Sequence, residues 1–161
     1  YNFENVLSAV CIGKYFGVHM DDIKEAIVAY VPSNNRSQRV NYNGATVILD
    51  AYNANPSSMA EALSNFEKQP GDNKTVVLGE MMELGEYSRE EHDKILNAIS
   101  EMKLTSRILT GGGFEFAKDA PGVHWFKTTE ELRHWFQQQN WQGCFVLIKG
   151  SRKNELEKIL K

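Results

Sequence analysis

Three stretches of this 161-residue chain place polar side chains where an apolar run stops. The first is Thr46-Val-Ile-Leu-Asp50-Ala-Tyr52-Asn53-Ala-Asn55-Pro56-Ser-Ser58, in which the carboxylate is an acceptor and each asparagine amide offers both a donor and an acceptor. The second, Ile148-Lys149-Gly150-Ser151-Arg152, gathers two cations and a hydroxyl around a flexible glycine, a set suited to a carboxylate or a phosphate. The third, Leu78-Gly-Glu80-Met-Met-Glu83-Leu-Gly85, carries acids after another apolar run, and Ser88 and His92 follow it. Arg36 stands upstream of all three, and its planar fork of donors would match a phosphate. Each has a plain structural alternative: a polar turn at Asp50, a solvated arginine at 36, a solvated helix start at 149–152, a helix cap at Ser88 and a packed or surface histidine at 92.

The elements that must position these groups are legible from pattern. Val47, Ile48 and Leu49 run without polar alternation, as in a strand covered on both faces, and Pro56 suits the first turn of a helix with Asn55 as its N-cap. Asp50, Tyr52, Asn53 and Asn55 therefore fall at the carboxyl end of a strand beside a helix N-terminus, the edge of an open α/β sheet where ligands bind. Upstream, Asn43-Gly44 supplies the positive φ angles of a tight hairpin between strands Gln38–Tyr42 and Ala45–Asp50. Strand and helix then alternate: helix Ser57–Glu67, strand Thr75–Gly79, helix Ser88–Met102 with a Ser88/Glu91 capping box, strand Ser106–Thr110. A short helix Phe114–Lys118, strand Val123–Phe126, helix Thr129–Gln138, strand Cys144–Lys149 and last helix Lys153–Leu160 complete the chain. Such alternation demands crossover connections, so the predicted class is α/β, a Rossmann-like three-layer domain with a mainly parallel sheet and one antiparallel edge strand. Gly111-Gly112-Gly113 lacks the G-x-G-x-x-G spacing and reads as a strand-to-helix turn. Trp125, Trp135, Trp141, Phe126 and Phe136 read as packing residues.

Ahead of this domain, Asn5–Phe16 and a segment opened by Asp21 or Asp22 read as two antiparallel helices with Gly17 as a stop. Pro32 closes them, placing a boundary between 1–32 and 33–161. A hydrophobic content of 42% supports a sizeable core, and a net charge of -3 argues against nucleic acid as a partner. No apolar run approaches the roughly 20 residues of a membrane span. No signal peptide is evident either, which predicts a cytoplasmic location. Tyr1 is not an initiator methionine, which predicts a piece cut from a longer chain. Cys11 and Cys144 are far apart and lack metal spacing, so buried reduced thiols are expected and no metal held by this chain alone.

Asp50-Ala-Tyr-Asn-Ala-Asn-Pro56 resembles the D-[SA]-Y-N-A-N-P signature in the C-terminal domain of the Mur ligases, in the branch that adds D-alanyl-D-alanine to UDP-N-acetylmuramoyl-tripeptide. Asn35-Arg36, Leu78–Gly85 with Ser88 and His92, and Ile148–Arg152 agree in order, so the resemblance spans essentially the whole chain. It departs from the usual G-D-M at Gly79-Glu80-Met81. The resemblance implies that 33–161 is the C-terminal domain and that 1–32 is a two-helix remnant of the central ATPase domain. It implies ATP with Mg2+ as cofactors, the muramyl tripeptide and D-alanyl-D-alanine as partners, and a role in peptidoglycan synthesis. It assigns Arg36 to ATP phosphates, Asp50 to the ribose, and Tyr52, Asn53 and Asn55 to the adenine. It turns Lys149, Ser151, Arg152 and His92 toward the dipeptide substrate. These ligases activate a carboxylate as an acyl phosphate, which an amine then attacks. The chain holds no G-x-x-x-x-G-K-[ST] phosphate loop and no evident magnesium-binding acid cluster, so it is not expected to catalyse alone. The alternatives left open are a stand-alone nucleotide-binding Rossmann-like module and a non-enzymatic interaction domain.

Overall fold

The computed structural model describes residues 3–161. It divides into two compact units, one ending at Pro32 and the other running Ser33–Lys161.

The first unit is a helix pair, α1 (Phe3–Tyr15) and α2 (Met20–Ala29). Gly17, at φ 75°, provides the left-handed residue that stops α1. The second helix starts ahead of the acids that the sequence points to: His19 is the N-cap, its ring accepting from the Asp21 backbone N–H, and Asp21 and Asp22 fill the first turn. Ile23 packs against Gly13, where an added Cβ would come within 2.8 Å of the Ile23 Cδ1. Two short helices can bury little else, and Phe3, Leu7, Ile12, Phe16, Val28 and Tyr30 stay exposed. Cys11 is exposed as well, which corrects the expectation of a buried thiol.

The second unit is built on a six-stranded sheet ordered β1-β2-β6-β3-β4-β5. Its strands are β1 (Gln38–Tyr42), β2 (Ala45–Asp50), β3 (Lys74–Gly79), β4 (Ser106–Thr110), β5 (Val123–Phe126) and β6 (Phe145–Lys149). The hairpin joining β1 to β2 turns at Asn43 and Gly44, both at positive φ (47° and 80°), which is what a two-residue primed turn needs. This antiparallel pair forms one edge, and every other pairing is parallel. The last strand in the chain, β6, inserts between β2 and β3, with Val146 opposite Val47 on one side and Thr75 on the other.

Helices α3 (Pro56–Lys68), α4 (Ser88–Glu101) and α5 (Thr129–Gln137) cover the sheet. Because successive strand residues face opposite ways, Val76 and Leu109 join Met59, Phe66, Ile99 and Phe114 in one core, whereas Val77 and Ile108 join Leu132, Phe136 and Trp141 in the other. The three layers follow from those two cores. Asn55 caps α3 in a reciprocal box with Ser58, as its position before Pro56 anticipates.

Three expected helical features take another form. Ser88 is the first residue of α4 and not its cap, because the chain enters the helix through a 3₁₀ turn at Gly85–Tyr87 and the N-cap position, Tyr87, makes no side-chain bond. Gly112–Ala117 is a 3₁₀ turn. The expected last helix is two 3₁₀ pieces, Arg152–Asn154 and Leu156–Leu160, parted by Glu155 in the left-handed region. The cause lies in what must be buried: Leu156 and Ile159 are both inaccessible, and a three-residue spacing stacks them on one side of a 3₁₀ turn.

Phe136 stacks on Trp141 at 4.1 Å between ring centroids, and the indole N–H donates to the Phe136 carbonyl at 2.7 Å. Phe136→Ala is expected to lower stability by about 3–5 kcal/mol in urea titration, the cost of an aromatic cavity in a packed core.

Candidate functional site

The carboxyl ends of the central strands carry the polar residues that the sequence singles out. Asp50 and Lys149 are register partners at the ends of β2 and β6, so their side chains leave the sheet side by side. The Lys149 ammonium lies 2.6 Å from Asp50 Oδ2 and donates to the Asn53 carbonyl at 3.2 Å. The other Asp50 oxygen accepts from the Ser37 backbone N–H at 3.0 Å. With side-chain exposures of 2% for Lys149 and 11% for Asp50, this is a desolvated pair. Such a pair is held by geometry and saturated hydrogen bonding more than by net Coulomb gain.

Lys149 and Arg152, grouped in the sequence as holders of a ligand carboxylate, have different surroundings in the structure. Lys149 is folded back onto Asp50 and Asn53, whereas Arg152 is exposed and pairs with Glu157. The chain after Ser151 forms only a three-residue 3₁₀ turn, so the helix N-terminus expected there is absent. Ser151 is also engaged within the fold: buried, its Oγ accepts from the Met82 N–H at 3.1 Å and lies 3.5 Å from the Ala54 carbonyl, tying the loops after β3 and β2 to the end of β6.

His92, which the resemblance turns toward the dipeptide, lies in the packed interior of the domain. It is fully buried in α4; Nε2 accepts from the Met81 backbone N–H at 2.9 Å, and Nδ1 lies 2.7 Å from the Ser88 carbonyl. That network calls for the neutral ring with its proton on Nδ1. A proton on Nε2 would point at the Met81 N–H. Desolvation by burial accordingly lowers the His92 pKa below 6.5, outweighing the Ser88 carbonyl and the nearby Glu80 and Glu91 carboxylates.

The glycine run packs over this histidine. Glu80 Oε2 accepts from the Gly113 N–H at 2.8 Å; an added Cβ at Gly113 would sit 2.5 Å from His92 Nε2, and one at Gly111 would sit 2.8 Å from the Glu80 side chain. Glu80 therefore anchors the loop after β4. Gly111 and Gly113 mark close backbone approach, a demand that reading the segment as a turn does not disclose.

Around this buried frame lies an exposed polar shelf of Arg36, Tyr52, Asn53, Asn55 and Arg152. The Arg36 guanidinium sits 3.9 Å above the centroid of the Tyr52 ring. Asn53 Oδ1 accepts from the Ala54 N–H, and Asn55 Oδ1 is taken by the Ser58 N–H and the Ser57 hydroxyl. The arrangement offers cationic and amide donors for a phosphate or carboxylate together with an aromatic face. Ser37 and Glu157 are members that pattern reading missed, Ser37 because it acts through its backbone N–H, and Glu157 because its pairing with Arg152 spans a break in the local helix.

Comparison with known proteins places this arrangement in a family. Residues 35–152 match the family model described as Mur ligase, glutamate ligase domain. The UDP-N-acetylmuramoyl-tripeptide--D-alanyl-D-alanine ligase of Bacillus subtilis is 30% identical over 172 residues, covering 100% of this chain and 37% of its own length. The ligase of the same description from Rickettsia prowazekii is 35% identical over 129 residues, covering 78% of this chain and 29% of its own. A crystal structure of MurF from Acinetobacter baumannii superposes with a TM-score of 0.84 at 28% identity, covering 98% of this chain and 36% of that one. The chain thus spans about a third of the length of the relatives it matches.

Two outcomes are expected from the buried frame. Lys149→Met, which strands the Asp50 carboxylate, should cost about 3–5 kcal/mol in denaturant unfolding. For His92 the folded pKa lies below the unfolded one, so the unfolded chain binds more protons just below pH 6.5. Its contribution to stability is complete above that pH and is lost as pH falls toward the folded value, with a slope of at most about 1.4 kcal/mol per pH unit. Urea midpoints measured down from pH 7.5 should fall on acidification, and His92→Gln should flatten that trend. An unaltered slope in the variant would exclude His92 as its source.

Proposed function

Since the chain belongs to the Mur ligase family and carries its glutamate ligase domain, we propose that it serves as the C-terminal domain of an ATP-dependent ligase that adds D-alanyl-D-alanine to UDP-N-acetylmuramoyl-tripeptide in peptidoglycan synthesis. The observation that carries this reading is the Asp50–Pro56 motif at the carboxyl edge of the sheet, with Arg36 and Arg152 exposed beside it and relatives of this one activity aligned along the chain. In this reading 33–161 is the domain itself and 1–32 the helical tail of a central ATPase domain. The bare apolar side chains of α1 and α2 support that origin, since such surface needs a covering partner.

The exposed residues, with Asp50 at the rim of the buried frame, take the ligand-facing roles. Arg36 meets the nucleotide phosphates, where a guanidinium matches their charge and spacing. Asn53 and Asn55 border the adenine, and the Asp50 carboxylate accepts from the ribose hydroxyls while Lys149 holds it in place. Magnesium, when bound with the nucleotide, neutralises phosphate charge, and its protein ligands are assigned to domains outside this chain. Arg152 is the residue retained for the dipeptide carboxylate, and Lys149 and Ser151 act behind it as supports. A nucleotide-linked substrate places the work in the cytoplasm, and no helix among the described residues is long and apolar enough to cross a membrane.

In the full-length protein, Arg36→Ala should raise the KM for ATP and lower kcat, because a contact completed on closure is felt most in the transition state. Arg152→Ala should weaken use of D-alanyl-D-alanine by about ten- to a hundredfold, the loss of one charge-assisted contact, and leave ATP dependence nearly unaltered. The 161-residue chain by itself should turn over no ATP, since it lacks a phosphate loop. Steady-state kinetics with each substrate varied in turn checks all three, and variants indistinguishable from the parent would overturn the assignment.

A further inference from the structure

We propose that Tyr52 is a positioning residue for Arg36: its ring holds the guanidinium over the carboxyl edge of the sheet so that the in-plane N–H donors are ready for the oxygens of a phosphate. The inference deepens the nucleotide reading of Arg36 given above and rests on it.

The backbone at Arg36 is set by an unusual run. Asn34, Asn35 and Ser37 have φ of 58°, 59° and 50°, a left-handed conformation that asparagine tolerates and serine seldom adopts. Conformations of that kind persist where surrounding bonds over-determine them. Here the Ser37 N–H donates to Asp50 Oδ1, and the Arg36 N–H closes back on the Ser33 carbonyl at 3.4 Å. Asp50 therefore fixes where the arginine leaves the chain.

The side chain is held from the same three-residue segment. Tyr52, two residues beyond Asp50, is 45% exposed, and the Arg36 Cζ stands 3.9 Å over its ring centroid, well within cation–π range. One end of Arg36 is thus fixed through Asp50 and the other through Tyr52.

The chemistry of the contact leaves the arginine able to bind. Stacking engages the face of the guanidinium, whereas its hydrogen bonds lie in the plane, so ring and phosphate do not compete for the same surface. A long arginine loses much rotamer freedom on binding, and a ring that narrows that freedom beforehand reduces the ordering cost at the moment the nucleotide arrives. The contact also occupies one face of Tyr52. In an adenine platform, by contrast, the ring itself would touch the base.

A double-mutant cycle in the full-length protein distinguishes the two roles, with ATP varied at saturating levels of the other substrates. Tyr52→Leu should raise the KM for ATP by about two- to fivefold, the equivalent of an exposed cation–π contact, while Tyr52→Phe and Tyr52→Trp, which keep a ring, should stay near the parent value. In an Arg36→Ala background, Tyr52→Leu should add nothing further, because its effect passes through the arginine. An equal penalty in both backgrounds would overturn the inference in favour of a direct contact between Tyr52 and the nucleotide. So would a parental KM for Tyr52→Leu itself. If Arg36→Ala leaves ATP dependence untouched, the nucleotide reading of Arg36 falls and this inference falls with it, an outcome that the single variant reveals before the cycle is closed.

Discussion

The ion pair between Asp50 and Lys149 is the constraint on which the polar edge depends. It joins the ends of β2 and β6, strands brought together from opposite ends of the domain, and it lies almost out of reach of solvent. A buried carboxylate and ammonium are tolerated only when each finds further partners, and here Ser37 supplies one to the acid and the Asn53 carbonyl one to the lysine. Those added bonds carry the consequence outward. One settles the path of the segment bearing Arg36, the other the path of the loop bearing Tyr52, Asn53 and Asn55. Charges that look like ligand contacts are thereby also the frame that places the ligand contacts.

A second buried assembly supports the other half of the edge. His92 receives the Met81 N–H, Glu80 receives the Gly113 N–H, and the glycine run lies close over both side chains. Ser151 links this assembly to the first by accepting from Met82 beside the end of β6. Glu80 spans from the end of β3 to the Gly113 N–H, so its side chain joins the loops after β3 and β4.

The outcome is a division of labour between buried and exposed polar groups. Lys149, Ser151 and His92 spend their polar atoms on the fold, while Arg36, Tyr52, Asn53, Asn55 and Arg152 present theirs at the surface. Low dielectric makes the buried bonds rigid and costly to break, and exposure leaves the shelf able to exchange water for a ligand. An edge that must receive a charged partner benefits from both.

What the sequence determined by itself was local. Asn43-Gly44 specifies a primed turn whatever surrounds it, and the strands on either side fall at Gln38–Tyr42 and Ala45–Asp50 as the pattern indicates. Asn55 before Pro56 specifies a cap, and the alternation of apolar runs with helical periods specifies a mainly parallel sheet under helices. The tertiary structure alone decided which distant groups meet. Pattern does not say that β6 enters between β2 and β3, and only that insertion sets Lys149 against Asp50, 99 residues away. Nor does it say that the glycine run must clear His92, that His92 is walled in, or that the end of the chain tightens into 3₁₀ turns to bury Leu156 and Ile159. Turns and caps are settled by bonds within a few residues, whereas the roles of Lys149, Ser151 and His92 depend on strand order and register, which exist only once the sheet is assembled.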